Sequence, residues 1–153
     1  MDDRTDPNRP TEGARYDRDL YSWAVEQAAL LRAGKIAEAD ARNIAEELDD
    51  VGNEQYDKLE SALRVILLHL LKWDHQPEKR TRSWENTIAE QRYRALRQLS
   101  KNPSLKSTIE EATREGYKSG RLGASGETDM DLETFPEVCP YDWDTILNRP
   151  FKR

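Results

Sequence analysis

The chain has 153 residues, 36% hydrophobic and 35% charged, with a mean hydropathy of −0.98; this is room for one ordinary domain with an economical core. The longest apolar stretch, Val65 to Leu71, is short and interrupted by His69, which excludes a membrane-spanning helix. A single cysteine, Cys139, excludes an internal disulfide and any multi-cysteine metal site, and with no apolar leader segment in the first fifteen residues a cytoplasmic protein is expected.

Residues 1–15 carry Pro7, Pro10, Gly13 and alternating charges with no apolar period, so a disordered tail is expected there and a single helical domain over 16–153. Leu20, Trp23, Ala24, Gln27, Leu30 and Leu31 then recur at three and four, predicting a helix over about 17–33, with Asp17 or Asp19 as its cap and Gly34 at its end. The main feature is a long second helix from near Asp40 to Asp74. Ile44, Leu48, Val51, Gln55, Leu59, Leu63, Ile66, Leu70 and Trp73 follow one another in it at near-heptad spacing. Gly52 costs on the order of 1 kcal/mol in such an interior and marks the place where a bend is expected, if there is one. Pro77 ends this helix. Thr81 or Ser83 then caps a third, whose Trp84, Ile88, Ala95, Leu96 and Leu99 form one apolar face. Asn102 and Pro103 open a fourth through Leu105, Ile109, Ala112, Gly116 and Leu122, closed by Gly123 and Gly126. After an acidic linker, Phe135–Pro140 reads as extended and Asp142 caps a last turn or two through Ile146 and Leu147. Strand signals are absent, so the expected fold class is all-α, a bundle of four main helices with a long second helix and a short C-terminal helical segment.

The net charge of −6 is unevenly spread: residues 1–63 hold eight basic and sixteen acidic side chains, residues 64–101 nine and four, and residues 102–153 seven and ten. The basic middle contains Arg80, Arg82, Arg94, Arg97 and Lys101, interleaved with Trp73, Trp84 and Tyr93. Arg94, Arg97 and Lys101 recur at i, i+3 and i+7 on one helix stripe, a candidate anion or nucleic-acid surface with a tryptophan to stack a base. The competing interpretation is a self-neutralised face, because Glu90 precedes Arg94 by four.

Catalytic constellations are missing. Cys139 has only His69 and His75 as bases anywhere in the chain and reads as a packing residue. No glutamate stands three positions before either histidine, which counts against a carboxylate-bridged metal pair, and His69 reads as a core histidine with one bonded nitrogen. No glycine-rich phosphate loop is present. No cofactor, catalytic residue or metal ligand is therefore assigned.

With the helices placed, several stretches resemble a bacterial family known as domain of unknown function 29. They are Tyr16–Trp23, Glu26–Gly34, Ile44–Leu48, Leu67–Trp73, Gln76–Arg80, Ser83-Trp84, Glu90–Arg92, Asn102–Leu105, and Phe135–Glu137 with Cys139–Tyr141. Together they cover about residues 16–148. The resemblance implies a small all-helical protein and brings no activity, cofactor or site with it. It also draws attention to Gln76, Pro77, Arg80 and Trp84, which read as a structural corner: Arg80 caps carbonyls at the end of the second helix and Trp84 packs beneath.

These readings lead to a non-enzymatic, self-associating interaction module, expected as a dimer through helical faces, with no membrane partner. Nucleic-acid binding through the basic stripe is the alternative, and a metal-binding protein or enzyme built on His69 stands last.

Overall fold

The computed structural model describes residues 12–152, and every element in that range is helical. Most of the expected tail, residues 1–11, lies outside the described residues; from Glu12 the backbone is already helix, as α1 (Glu12–Arg18). Two compact units divide the chain, with the boundary between Val51 and Gly52.

The first unit contains α1, α2 (Leu20–Arg32) and the beginning of α3 (Ala41–His75). The single helix expected over 17–33 is broken at Asp19, whose φ of −146° leaves the helical region while its carboxylate accepts the Ser22 N–H at 2.9 Å. Gly34 lies where expected, in the left-handed region at φ +73° that only glycine adopts without cost. Trp23 and Gln27 are the buried residues of α2, and both are tied to Asp40. Trp23 Nε1 donates to its carboxylate at 3.0 Å and the Asp40 N–H donates to Gln27 Oε1 at 2.8 Å. That carboxylate also accepts the Asn43 N–H at 3.3 Å at the start of α3. Leu20 and Leu31, expected on a buried face, are instead exposed, because this unit offers a core only around Trp23.

α3 runs unbroken for 35 residues, about 50 Å at the usual rise, straight through Gly52 without a stop. In the second unit its remaining length is flanked by α4 (Arg82–Lys101) and α5 (Ile109–Thr128). Leu59, Leu63, Ile66, Leu67, Leu70 and Leu71 of α3 are fully buried with Ile88 and Ala95 of α4 and Ala112 and Ala124 of α5. Thr81 caps α4 by accepting the Trp84 N–H at 3.3 Å. The fourth expected helix opens differently: Pro103–Thr108 winds as a tighter 3-10 turn before α5 begins. It also closes differently, for α5 passes through Gly123 and Gly126 and stops at Asp129, which takes the left-handed conformation at φ 57°. Two earlier glycines of this helix, Gly116 and Gly120, serve close contact. A Cβ on Gly116 would stand 3.2 Å from the Arg64 backbone nitrogen and one on Gly120 would stand 2.9 Å from the Arg64 carbonyl oxygen, so α5 lies directly on the α3 backbone.

The last segment crosses this core as extended chain and α6 (Trp143–Asn148), capped by Asp142, whose carboxylate accepts the Thr145 N–H at 2.8 Å. Phe135 and Ile146 are the buried anchors. Among the described residues no helix is long and apolar enough to cross a membrane.

Candidate functional site

The basic residues singled out by sequence do not form one surface. Arg80 turns inward: its Nε donates to the Trp73 carbonyl at 2.9 Å and its guanidinium lies 5.0 Å from the Trp73 ring centre, at the end of α3. Gln76 is buried beside it, Pro77 opens a short 3-10 turn, and Trp84 is half-buried. The ammonium of Lys72 stands 4.5 Å from the Trp84 ring and bonds Glu127 Oε2 of α5 at 2.7 Å.

Arg94, Arg97 and Lys101 do come together, on the exposed side of α4 along a groove of about 520 Å3. The opposite wall of that groove carries Glu54, Asp57 and Lys58 of α3, with Lys58 paired to Glu54 at 2.9 Å. Arg94 pairs with Glu90 at 2.7 Å, whereas among the described residues Arg82, Arg97 and Lys101 make no ion pair. Gln98 closes the groove floor, its Nε2 donating to the Gln55 carbonyl at 2.8 Å. Arg80 and Arg82 lie outside it. Leu96, expected on the buried face of α4, is half-exposed because it borders a second recess on the other side of the helix.

Both histidines turn Nδ1 back to a carbonyl of their own helix, His69 to Val65 and His75 to Leu71, each at 2.8 Å. Burial pushes the His69 imidazole below its ordinary pKa, so the neutral ring is favoured. Cys139 is half-buried, with Sγ directed at the Tyr141 carbonyl, and burial raises its thiol pKa. A thiol held protonated in this way is a poor nucleophile.

A further recess was not legible in the sequence. It is a groove of about 930 Å3 along the outer side of α5, closed by the chain before α6. Ile109, Tyr117 and Leu122 form one wall and Leu132, Val138 and Trp143 the other. Leu122 is 62% exposed and Val138 80%, although the periodicity places Leu122 on the buried face of its helix. Few polar groups converge on the interior. The Tyr117 hydroxyl donates to the Pro136 carbonyl, and Arg121 donates from Nε and Nη2 to the Phe135 carbonyl at 3.1 and 3.0 Å. Those bonds hold the two walls together. Burial raises the Tyr117 pKa to about 12, which keeps its hydroxyl a donor. Arg114, Lys118 and Arg121, at i, i+4 and i+7, share the rim with Glu110 and Glu137, and Glu115 pairs with Lys118 at 3.1 Å and stands 3.9 Å from Arg114, so the edge carries both signs of charge. The adjoining recess of about 570 Å3 shares Ile109 and Trp143 with the groove, so apolar surface continues past Lys106 to Leu96 and Leu99. These walls come from chain positions that only the packing of α4, α5 and the last segment brings side by side, which is why no local pattern announces them.

A family model described as a domain of unknown function, DUF29, matches residues 15–152. No curated protein and no solved structure matches the chain. With a match over nearly its whole length, the chain belongs to the DUF29 family.

Proposed function

We propose that this protein is a cytoplasmic, non-catalytic interaction module that receives a protein partner in the groove along α5 and associates with itself. The observation that carries this reading is the exposure of Leu122 and Val138 on opposite walls of a 930 Å3 apolar recess. Exposed apolar surface that is contiguous and rimmed by charge is what a docking site leaves open in the unbound chain. The groove is open to solvent, extends into a second recess, and has Tyr117 and Arg121 engaged with its own backbone; these features suit an amphipathic helix better than a compact metabolite. The exclusion of water from Leu122, Val138 and Trp143 would supply the driving force.

The test is the dye 1-anilinonaphthalene-8-sulfonate, whose fluorescence rises when its apolar rings enter an apolar cleft. Saturable fluorescence enhancement with the folded protein, lost in Leu122→Glu, is the expected result. No enhancement, or enhancement untouched by that substitution, overturns the groove as a docking site.

A second reading, nucleic-acid binding through the basic stripe, draws support from Arg82, Arg97 and Lys101, which stand without ion pairs among the described residues. Asp57 on the facing wall and the pairing of Arg94 with Glu90 and of Lys58 with Glu54 oppose it, since they leave the groove of mixed charge where a phosphate backbone would need a positive one. Arg80 is committed to Trp73 and serves a corner, together with Gln76, Pro77 and Trp84, more readily than a ligand.

A further inference from the structure

We propose that the chain pairs with a second copy of itself through the outer face of α2, the two helices running antiparallel and crossing midway between Ala24 and Ala28. This rests on the self-association stated above and gives it a surface that shares no residue with the α5 groove.

At 3.6 residues per turn, Leu20, Leu31, Ala24, Ala28, Tyr21 and Val25 fall side by side on one face of α2. Trp23 and Gln27, the buried residues of this helix, lie off that face. Leu20, Tyr21, Val25 and Leu31 are 48%, 82%, 55% and 42% exposed, Ala24 is exposed and Ala28 half-buried. The first unit therefore turns an apolar face outward, while Trp23 is the one buried hydrophobic side chain among its described residues. A single buried ring does little against the entropy of ordering three helical segments, so covering this face favours the folded unit.

The face is its own complement. Its central row reads Leu20, Ala24, Ala28, Leu31, large at both ends and small in the middle, the same in either direction. A second copy turned end for end sets alanine beside alanine where the backbones come closest, and leucine beside leucine where the helices diverge. Between Leu20 and Leu31 the charged side chain is Glu26, which lies on the opposite side of the helix and is paired with Arg15. Like faces thus meet without opposing like charges. The ends of α2 differ in sign: Asp17, Arg18 and Asp19 leave the start net negative, and Arg32 closes the end. Neither Asp17 nor Arg32 is in an ion pair among the described residues. An antiparallel two-fold pair brings the Arg32 of each copy to the acidic start of the other and sets the helix dipoles head to tail; a parallel pair would put like ends together. A contact between two such faces stands at the low end of specific interfaces, about 1,000 Å2 in all, so the dimer dissociates on dilution.

The experiment is sedimentation equilibrium on the full chain, comparing wild type with Val25→Glu in the α2 face and Leu122→Glu in the α5 groove, with helical content recorded for each. Should Val25→Glu lose its helical signal, Tyr21→Glu replaces it, at a side chain 82% exposed. The expected result is a wild-type dimer whose dissociation constant rises about tenfold or more in the α2 variant and is unchanged in Leu122→Glu. Orientation is read by oxidative cross-linking in a Cys139→Ser background: Ala24→Cys and Ala28→Cys link when mixed and not singly. Self-linking of Ala24→Cys shows a parallel pair and overturns the antiparallel contact. A wild-type chain that stays monomeric at several hundred micromolar overturns both the self-association and its surface. A dimer untouched by the α2 substitution, or weakened by Leu122→Glu, leaves self-association standing and overturns α2 as its surface.

Discussion

Arg92 of α4 donates from Nε to the carbonyl oxygen of Ile146 in α6 at 2.7 Å. Its other two nitrogens reach the carbonyls of Arg149 at 2.9 Å and Thr145 at 3.1 Å, so one guanidinium collects three carbonyls at the end of α6, that of Thr145 shared with the Arg149 N–H. The same segment is held by Arg149, which grips both oxygens of Asp74 at 2.7 and 3.0 Å, while the Tyr141 hydroxyl donates to Asp74 at 2.8 Å. Because this segment forms one wall of the α5 groove, its fixation shapes the docking surface.

Arg92→Ala is expected to destabilise the fold by about 2 kcal/mol, the scale of losing charge-assisted bonds to partly buried acceptors. Arg92→Lys should recover less than half of that, since an ammonium cannot fork to three carbonyls. Urea unfolding of the three proteins checks the order.

Gly52→Ala and Gly120→Ala should differ in sign. Nothing stands within 4 Å of a Cβ at Gly52, inside a continuous helix, so alanine there stabilises by roughly 1 kcal/mol. At Gly120 the added carbon falls 2.9 Å from the Arg64 carbonyl oxygen and must push two helix backbones apart, at a cost of about 2 kcal/mol. Thermal melts of both variants against wild type give the comparison.

The buried imidazole of His69 makes stability depend on pH. Its folded-state pKa lies below the ordinary value, so between the two values the unfolded chain binds the proton and the native chain does not. Its contribution is therefore complete above about pH 6.5 and is lost as pH falls through that range towards the folded-state value. A urea midpoint that declines from pH 7.5 to 5.5, with a smaller decline in His69→Gln, is the expected outcome.

Asp74 acts at lower pH. Burial would raise its carboxyl, but the hydrogen bonds from Arg149 and Tyr141 outweigh burial and hold it below the usual carboxylate range. Its stabilising contribution is present above about pH 4 and disappears as the folded-state value is crossed on acidification. Asp74→Asn should remove this step from an acid titration followed by near-ultraviolet circular dichroism.

Fluorescence anisotropy with labelled single- and double-stranded oligonucleotides tests the basic stripe directly. The expected result is no saturable binding at 50 mM salt, given Arg94 paired with Glu90 and the mixed charge across the groove. Tight binding that weakens steeply with salt and vanishes on charge reversal of Arg94 and Arg97 would make nucleic acid the partner.

What the sequence by itself determined about this protein was local in origin. The start of α4 at Thr81 or Ser83, the cap of α6 at Asp142, the stop before Pro77 and the apolar stretch from Ala62 to Leu71 all follow from capping chemistry and a 3.6-residue period, which act over one or two turns; the structure puts the α4 cap at Thr81. The pairing of Glu90 with Arg94 was legible for the same reason. Tertiary structure alone decided which apolar faces are covered. Leu48, Val51, Leu96 and Leu122 sit on faces that periodicity marks as apolar and yet meet solvent, because cover depends on where a neighbouring helix ends and how closely it lies. The glycines of α5 make the same point: Gly123 and Gly126 read as the close of the helix, yet α5 continues to Thr128, and only the packing shows that Gly120 lets the Arg64 backbone approach where a side chain would stand. The α5 groove exists only once the last segment is drawn over α5 by bonds such as Tyr117 to Pro136 and Arg121 to Phe135, pairs separated by more than three helical turns of chain and invisible to any periodic pattern.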